Sequence, residues 1–346
     1  MRIATYNVEW FDRLFDNAGR LLADNQWSAR YNITRAQQIE ALGIVFSAID
    51  ADAVMIIEAP DDNGKRTTVR ALEQFASTFK LRASKAMIGF GNNTQQEIAL
   101  LYDPDVMTAK HDPVGAETGK KGARDAPRFD GVFRIDLDVD ATEDLVSFSK
   151  PPLEVAARTK TGVDFRMIGV HLKSKAPHGA RNADAEMRLS IANRRKQLAQ
   201  AIWLRQRIDG HLERDEAVVL LGDLNDGPGL DVYEDLFGRS SVEIILGNES
   251  EKACLFDPNA QRALTGITRP NLIGPPTSAR FYNSSDKRYF QALLDYVMVS
   301  ADFNRKAPKW RIWHPFDDPD CWEVKELREA LITASDHYPV TIDIEI

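Results

Sequence analysis

Asp223 and Asn225 lie two residues apart in AVVLLGDLNDGP, Ala217 to Pro228. The apolar run before them, Val218 to Leu221, is of the kind a strand buried on both faces shows, and Gly222 marks where that strand stops. If the extended conformation continues through them, the two side chains leave the backbone on the same side. The aspartate offers two charged acceptor oxygens, and the asparagine an NH2 donor beside a carbonyl acceptor. Such a pair can orient a water for attack while donating a hydrogen bond to an oxygen on which charge accumulates, as hydrolysis of a phosphate ester requires. A turn in which Asp, Asn, Gly and Pro only cap a strand has the same composition. The functional reading therefore depends on whether other polar residues are placed in the same way.

Several are. Arg2 to Tyr6 reads as a strand that delivers Asn7 and Glu9 at its end, and Ala53 to Ile57 as a buried strand followed directly by Glu58. A carboxylate at such a place is a candidate metal ligand, because the strand fixes its position while the end stays open to water. Asp61 and Asp62, just beyond, read as a solvated turn, and Glu97 begins the strand EIALLY, closed by Asp103 and Pro104. His171 follows the strand Phe165 to Val170, and Lys173 and Lys175 continue at period two, a cationic mouth suited to phosphate. A Pro/Gly loop with His178 and Arg181 comes next. Asp295 leads into YVMVS, and Asp336 and His337 stand at the entrance of a last strand whose Val340, Ile342, Ile344 and Ile346 alternate with polar residues as if half-buried.

Helices must separate these strands. Thr34 is placed to cap a helix with Ile39, Leu42, Val45, Phe46 and Ile49 on its buried stripe, and Leu72, Phe75 and Phe79 mark another. Asp184 starts a long one with Met187, Ile191, Leu198 and Ile202 facing inward. A helix from about Asp231 to Phe237 gives way to the apolar Val242 to Leu246. Strands are expected at Val132 to Val139 and Leu153 to Ala157, and loops at 112–128 and 265–285. Arg124 or Arg128 of the first loop could reach a substrate phosphate, although solvation is the ordinary state of an arginine.

Composition bounds the rest. The 346 residues are 43% hydrophobic and 28% charged, with no apolar stretch near the length of a membrane span and no repeat or linker that would divide the chain, so a single domain over 1–346 is expected. The net charge of -8 argues against a broad basic surface for nucleic acid and is compatible with carboxylates gathered around a hard divalent cation. Cys254 and Cys321 form neither a zinc motif nor a disulfide framework and read as core thiols. MRIATYNVEWF reads as a strand rather than a secretion signal, so a cytoplasmic protein is expected, with no membrane span and no evident protein partner.

The motifs TYNVEWF, IIEAP, VHLKSK, GDLND, LLDYVMV and SDHYPV run from the first strand to the last. In that order the chain resembles the endonuclease/exonuclease/phosphatase superfamily, which includes DNase I, exonuclease III, inositol polyphosphate phosphatases and neutral sphingomyelinases. The resemblance implies an α/β fold, a four-layer αββα sandwich of two mixed sheets packed face to face with helices outside. It implies metal-dependent phosphoester hydrolysis, with Mg2+ (or Mn2+) held chiefly by Glu58 and helped by Asn7 and Asp336. Asp223 would orient or deprotonate the water, Asn225 would hydrogen-bond the phosphoryl group, and His337, oriented by Asp295, would act as acid/base or transition-state donor. His171 would have Glu97 as its carboxylate partner, Lys173 would bind substrate, and Glu9 stands where some members carry an acidic metal-shell residue. The family's loop arginine falls on Arg124 or Arg128. The substrate is a phosphorylated one, small molecule or nucleic acid, and the acidic charge favours few phosphates over a polyanion.

Two other readings compete. Gly222-Asp223 and Gly247-Asn248-Glu249 are similar to motifs of the dinuclear metallophosphatases, but the histidine that class needs next is missing. An inactive family member serving as a binding scaffold is the alternative from another class, and the competent residue at every catalytic position argues against it.

Overall fold

The computed structural model describes residues 1–137, 143–177, 179–228, 238–247, 253–268, 275–283 and 287–346. The strands in chain order are β1 (Arg2–Asn7), β2 (Ala53–Pro60), β3 (Lys85–Ile88), β4 (Gln96–Tyr102), β5 (Met107–His111), β6 (Phe133–Ile135), β7 (Asp144–Val146) and β8 (Leu153–Thr159). They continue as β9 (Asp164–His171), β10 (Val218–Asp223), β11 (Leu255–Phe256), β12 (Ala279–Asn283), β13 (Arg288–Ala292), β14 (Asp295–Ser300), β15 (Lys309–Ile312) and β16 (Val340–Asp343). One six-stranded sheet has the order β15-β16-β1-β2-β4-β3, and the other β11-β14-β10-β9-β8-β5. Both are mixed: β1 runs parallel to β2 and β9 to β10, while β16 and β14 run antiparallel to them.

Period-two alternation sorts the apolar side chains into three cores. Ile3, Met55, Ile57, Ile98, Leu100, Met167, Val219, Leu221, Val297 and Val299 meet between the sheets. Ala4, Tyr6, Val54 and Ile56 face the helices over the first sheet, and Ile168, Val170, Val218, Leu220 and Met298 those over the second. Four layers result because the central strands are apolar on both faces and each needs cover. No helix among the described residues is long and apolar enough to cross a membrane.

Helix α1 (Arg35–Ile49) starts as expected, with Thr34 and Gln37 forming a capping box, and buries Ile39, Leu42, Val45, Phe46 and Ile49. Helix α2 (Thr68–Phe79) packs Leu72 and Phe75 into the same core. Helix α3 (Ala183–Leu212) is capped by Asn182 rather than opened by Asp184. Its 30 residues span about 45 Å, and Met187 in the first turns is 45% exposed, whereas Leu198, Trp203, Leu204 and Ile208 carry the packing.

Other expectations are revised. Among the described residues of the expected strand, 132–137, Phe133–Ile135 is paired, with Asp144–Val146. Val242 to Leu246 belong to a helix, Ser241–Leu246, closed at its start by a capping box between Ser240 and Glu243. The stretch 265–285 is not all loop, because Ala279–Asn283 pairs antiparallel with Arg288–Ala292. Cys321 is buried, but Cys254 is only half-buried. The helix expected over 231–237, His178 and the Asn248-Glu249 part of the second metallophosphatase-like motif lie outside the described residues.

Gly222 does not end its strand but lies within β10, at φ 141°, where an added Cβ would collide with the carbonyl oxygen of Val170 on β9. A side chain there would push apart the two strands that carry His171 and Asp223. Gly222→Ala is expected to cost at least about 1–3 kcal/mol, the usual penalty of overpacking, read as a lower thermal midpoint. A variant melting with the wild type would contradict this close approach.

Candidate active site

Register brings the polar strand ends level. Asp223 is paired with His171 on β9 and with Asp295 on β14, and Asn7 with Ile57 on β2. The carboxyl ends of β1, β2, β9 and β10 lie at the same end of the sandwich as the amino ends of the antiparallel β14 and β16. Parity then decides where each side chain points. Asn7, Gln96, His171, Asp223 and Asp295 share the alternation of the residues packed between the sheets, so all five project where the inner layer opens to solvent. Glu58 has the opposite parity, that of Val54 and Ile56. It reaches the cleft because the β2–β4 register shifts between Ile57 and Ala59, leaving Glu58 as a bulge residue at φ 62°. The cleft has a volume of about 910 Å³ and is lined among others by Asn7, Glu58, Lys150, His171, Asp223 and His337.

At its floor Asp223, 1% exposed, accepts hydrogen bonds at Oδ2 from Asn7 Nδ2 at 3.0 Å and at Oδ1 from the Asn225 backbone N–H at 2.7 Å. The chain does not stay extended to Asn225: it turns there with φ 48°, and the Asn225 amide donates to Leu172 O at 3.1 Å and to Asp223 Oδ2 at 3.3 Å. Two imidazoles flank the carboxylate, His171 Nε2 3.7 Å and His337 Nε2 4.0 Å from Oδ2. Burial raises the Asp223 pKa to about 6, with His337 opposing.

His337 Nδ1 lies 2.8 Å from Asp295 Oδ2, which also accepts from Ser278 Oγ at 2.8 Å. Burial works against charging this ring, but Asp295, Asp223 and Asp336 outweigh it and hold its pKa well above the ordinary histidine value. His171 is the converse: burial, then the charges of Lys150 and His337, push it well below.

The expected Glu97 partner of His171 is not at the ring. Glu97 faces the outer side of β4 and accepts from Asn92 Nδ2 at 2.6 Å, with burial lifting its pKa to about 7. Lys150 Nζ is there instead, 3.1 Å from His171 Nδ1. Lys150 also donates to Gln96 Oε1, and Gln96 Nε2 donates to Glu58 Oε2. Lys150 and Gln96 were not anticipated. Gln96 has the parity of Ile98 and Leu100, a signal that pointed inward, whereas Lys150 sits in an irregular stretch before Pro151 and Pro152, with no period to read.

Glu58, Asn7, Asp336 and Glu9 line the same cleft. The donor set is all oxygen, as a hard cation requires. The Asn7 amide donates to Asp223, leaving its buried Oδ1 without a partner among the described residues, which suits a cation or its water. Burial raises Glu58 to about 7, a state that a bound cation would reverse. Asp223, Asp295 and His337 also lie within ligand spacing of one another, but that proximity contains the Asp295–His337 hydrogen bond. Glu9 is held by Arg30 and by Trp10 Nε1 at 2.9 Å.

Lys173 and Lys175 both line the cleft, and Lys175 pairs there with Asp226 at 2.6 Å. Arg124 pairs with Glu143, and Arg128 pairs with Asp130 at 2.7 Å and Glu117 at 2.8 Å; neither lines the cleft. The cation found beside His171 is Lys150, on the stretch between β7 and β8.

Residues 4–337 match the sequence model of the Endonuclease/Exonuclease/phosphatase family. The chain belongs to that family, whose members are hydrolases acting on phosphoesters. Among solved structures it is similar to ANGEL2, described as a 2′,3′-cyclic phosphatase in complex with adenosine-2′,3′-vanadate, at 15% identity and a TM-score of 0.52 over 100% of this chain and 96% of that one. It is also similar to TDP2 from Caenorhabditis elegans, at 12% identity and a TM-score of 0.50 over 99% of this chain and 73% of that one. At these identities the likeness establishes the DNase I-like fold alone. No curated protein sequence matches the chain significantly.

The His337 environment predicts its charge. With its pKa held above the ordinary value by these carboxylates, the ring keeps its proton beyond the pH at which a free imidazole would lose it; Asp295→Asn removes the main counter-charge, so the titration should move to lower pH. Imidazole NMR over a pH series measures both. A wild-type His337 neutral at pH 6 would contradict the pairing.

Proposed function

We propose that the protein is a divalent-cation-dependent phosphoester hydrolase in which Asp223 orients and deprotonates the attacking water. One observation carries the reading: a buried carboxylate, fixed by Asn7 and Asn225, lies between two imidazole Nε2 atoms at the floor of an open cleft. Near neutral pH Asp223 is ionised, since its pKa is about 6, and can take a proton from water. His337, charged and aligned by Asp295, donates from Nε2 to a phosphoryl or leaving-group oxygen. Asn225 acts chiefly through Asp223, because its amide nitrogen is already engaged. Glu58 would hold Mg2+ or Mn2+, with Asn7 Oδ1 and Asp336 completing the oxygen set directly or through water. Such an ion supplies Lewis-acid stabilisation of the charge on the phosphoryl oxygens.

Among the described residues, Lys150 and Lys173 are the lysines of the cleft with no carboxylate at ion-pair distance, which supports a substrate presenting few phosphates rather than a long polyanion. Glu58→Gln should lower metal-dependent hydrolysis of a generic phosphodiester by at least about 10², the low end for a positioned catalytic group, with an unchanged circular dichroism spectrum. Excess EDTA should silence the wild type and added Mg2+ or Mn2+ restore it. Full wild-type activity in EDTA would refute the proposal.

A further inference from the structure

His171 and His337 flank the same carboxylate, yet their Nδ1 atoms meet groups of opposite charge. His337 faces Asp295, and His171 faces the Lys150 ammonium at 3.1 Å. An ammonium has three donors and no lone pair, so the His171 Nδ1 must accept. The ring proton is then on Nε2, which lies 3.7 Å from Asp223 Oδ2, too far to be satisfied by it, on a residue that lines the cleft. Gln96 leaves Lys150 little freedom. Its oxygen accepts from Lys150 and its nitrogen donates to Glu58, and flipping the amide would set donor against donor and acceptor against carboxylate.

We propose that Lys150 is a positioning residue that holds His171 as the neutral Nε2–H tautomer, so that this ring donates a hydrogen bond to the phosphoryl group and does not serve as a base. The assignment rests on the hydrolase reading of the site. It divides the labour between the two histidines by partner: a carboxylate on Nδ1 makes one a cation, and an ammonium on Nδ1 keeps the other neutral. Asp223 is then the one base among the three groups. The burial of His171 and its low pKa agree with this division.

Long-range 15N–1H NMR of the imidazoles at pH 7.5 tests the tautomer without turnover. In the wild type His171 should carry its proton on Nε2 alone. Lys150→Met, which keeps the length and removes the donor, should yield a mixture with the Nδ1–H form and lower kcat on a phosphodiester by about tenfold or more. Lys150→Gln, which can still donate to Nδ1, should retain the tautomer and recover part of kcat. An imidazolium or an Nδ1–H ring in the wild type would overturn the proposal, a result that stands even if the Met variant does not fold. So would an unchanged tautomer in Lys150→Met, or a Gln variant that keeps the tautomer yet is as slow as Met, because the ammonium would then act on phosphate directly. A wild type with the expected tautomer but no phosphoesterase activity would remove the hydrolase reading while supporting the tautomer.

Discussion

A carboxylate buried as deeply as Asp223 can stay charged only if donors surround it, since an unpaired buried charge is among the costliest features a fold can carry. Most of the cleft answers that requirement. Asn7 donates to it from the first sheet and Asn225 from the turn after β10, while the rings of His171, on the neighbouring strand, and His337, at the entrance of β16, stand 3.7 and 4.0 Å away. The Asn7 bond crosses from the first sheet to the second, so the carboxylate ties together the two halves of the sandwich where the inner core opens. The same compensation leaves Asp223 with a pKa near 6, basic enough to take a proton and acidic enough to be ionised at neutral pH.

Glu58 shows what a regular strand could not provide. On unbroken alternation its side chain would enter the core beneath α1 and α2, where a carboxylate has no partners. A single extra residue in the left-handed conformation turns it to the cleft, and that strain sits at the place where the proposed cation would be held. Gln96 then links Glu58 to Lys150, and Lys150 to His171, so the metal-side wall and the second histidine are coupled through one amide.

The architecture was legible in the sequence because buried strands and amphipathic helices declare themselves by period, and the four-layer sandwich and the family were read correctly. Strand-end positions for Asn7, Glu58, His171, Asp223, Asp295 and His337 were legible for the same reason. Pairings were not. Glu97 was taken for the partner of His171 because an acid was sought there, although parity assigns the inward place to Gln96. Lys175 does line the cleft, but the sequence does not show that Asp226 pairs with it there. Lys150 went unseen because an irregular segment positions it. Met187 has the period of a buried stripe, but the sequence does not show that the first turns of α3 are exposed.

The central claim is that Asp223 directs a water onto phosphorus. Hydrolysis of a phosphodiester in 18O-labelled water, compared between the wild type and Asp223→Asn, measures it most directly. The account predicts label in the phosphate product alone, and a rate at least about 10² lower in the variant. Label in the alcohol product, or a variant that turns over with the wild type, would contradict it.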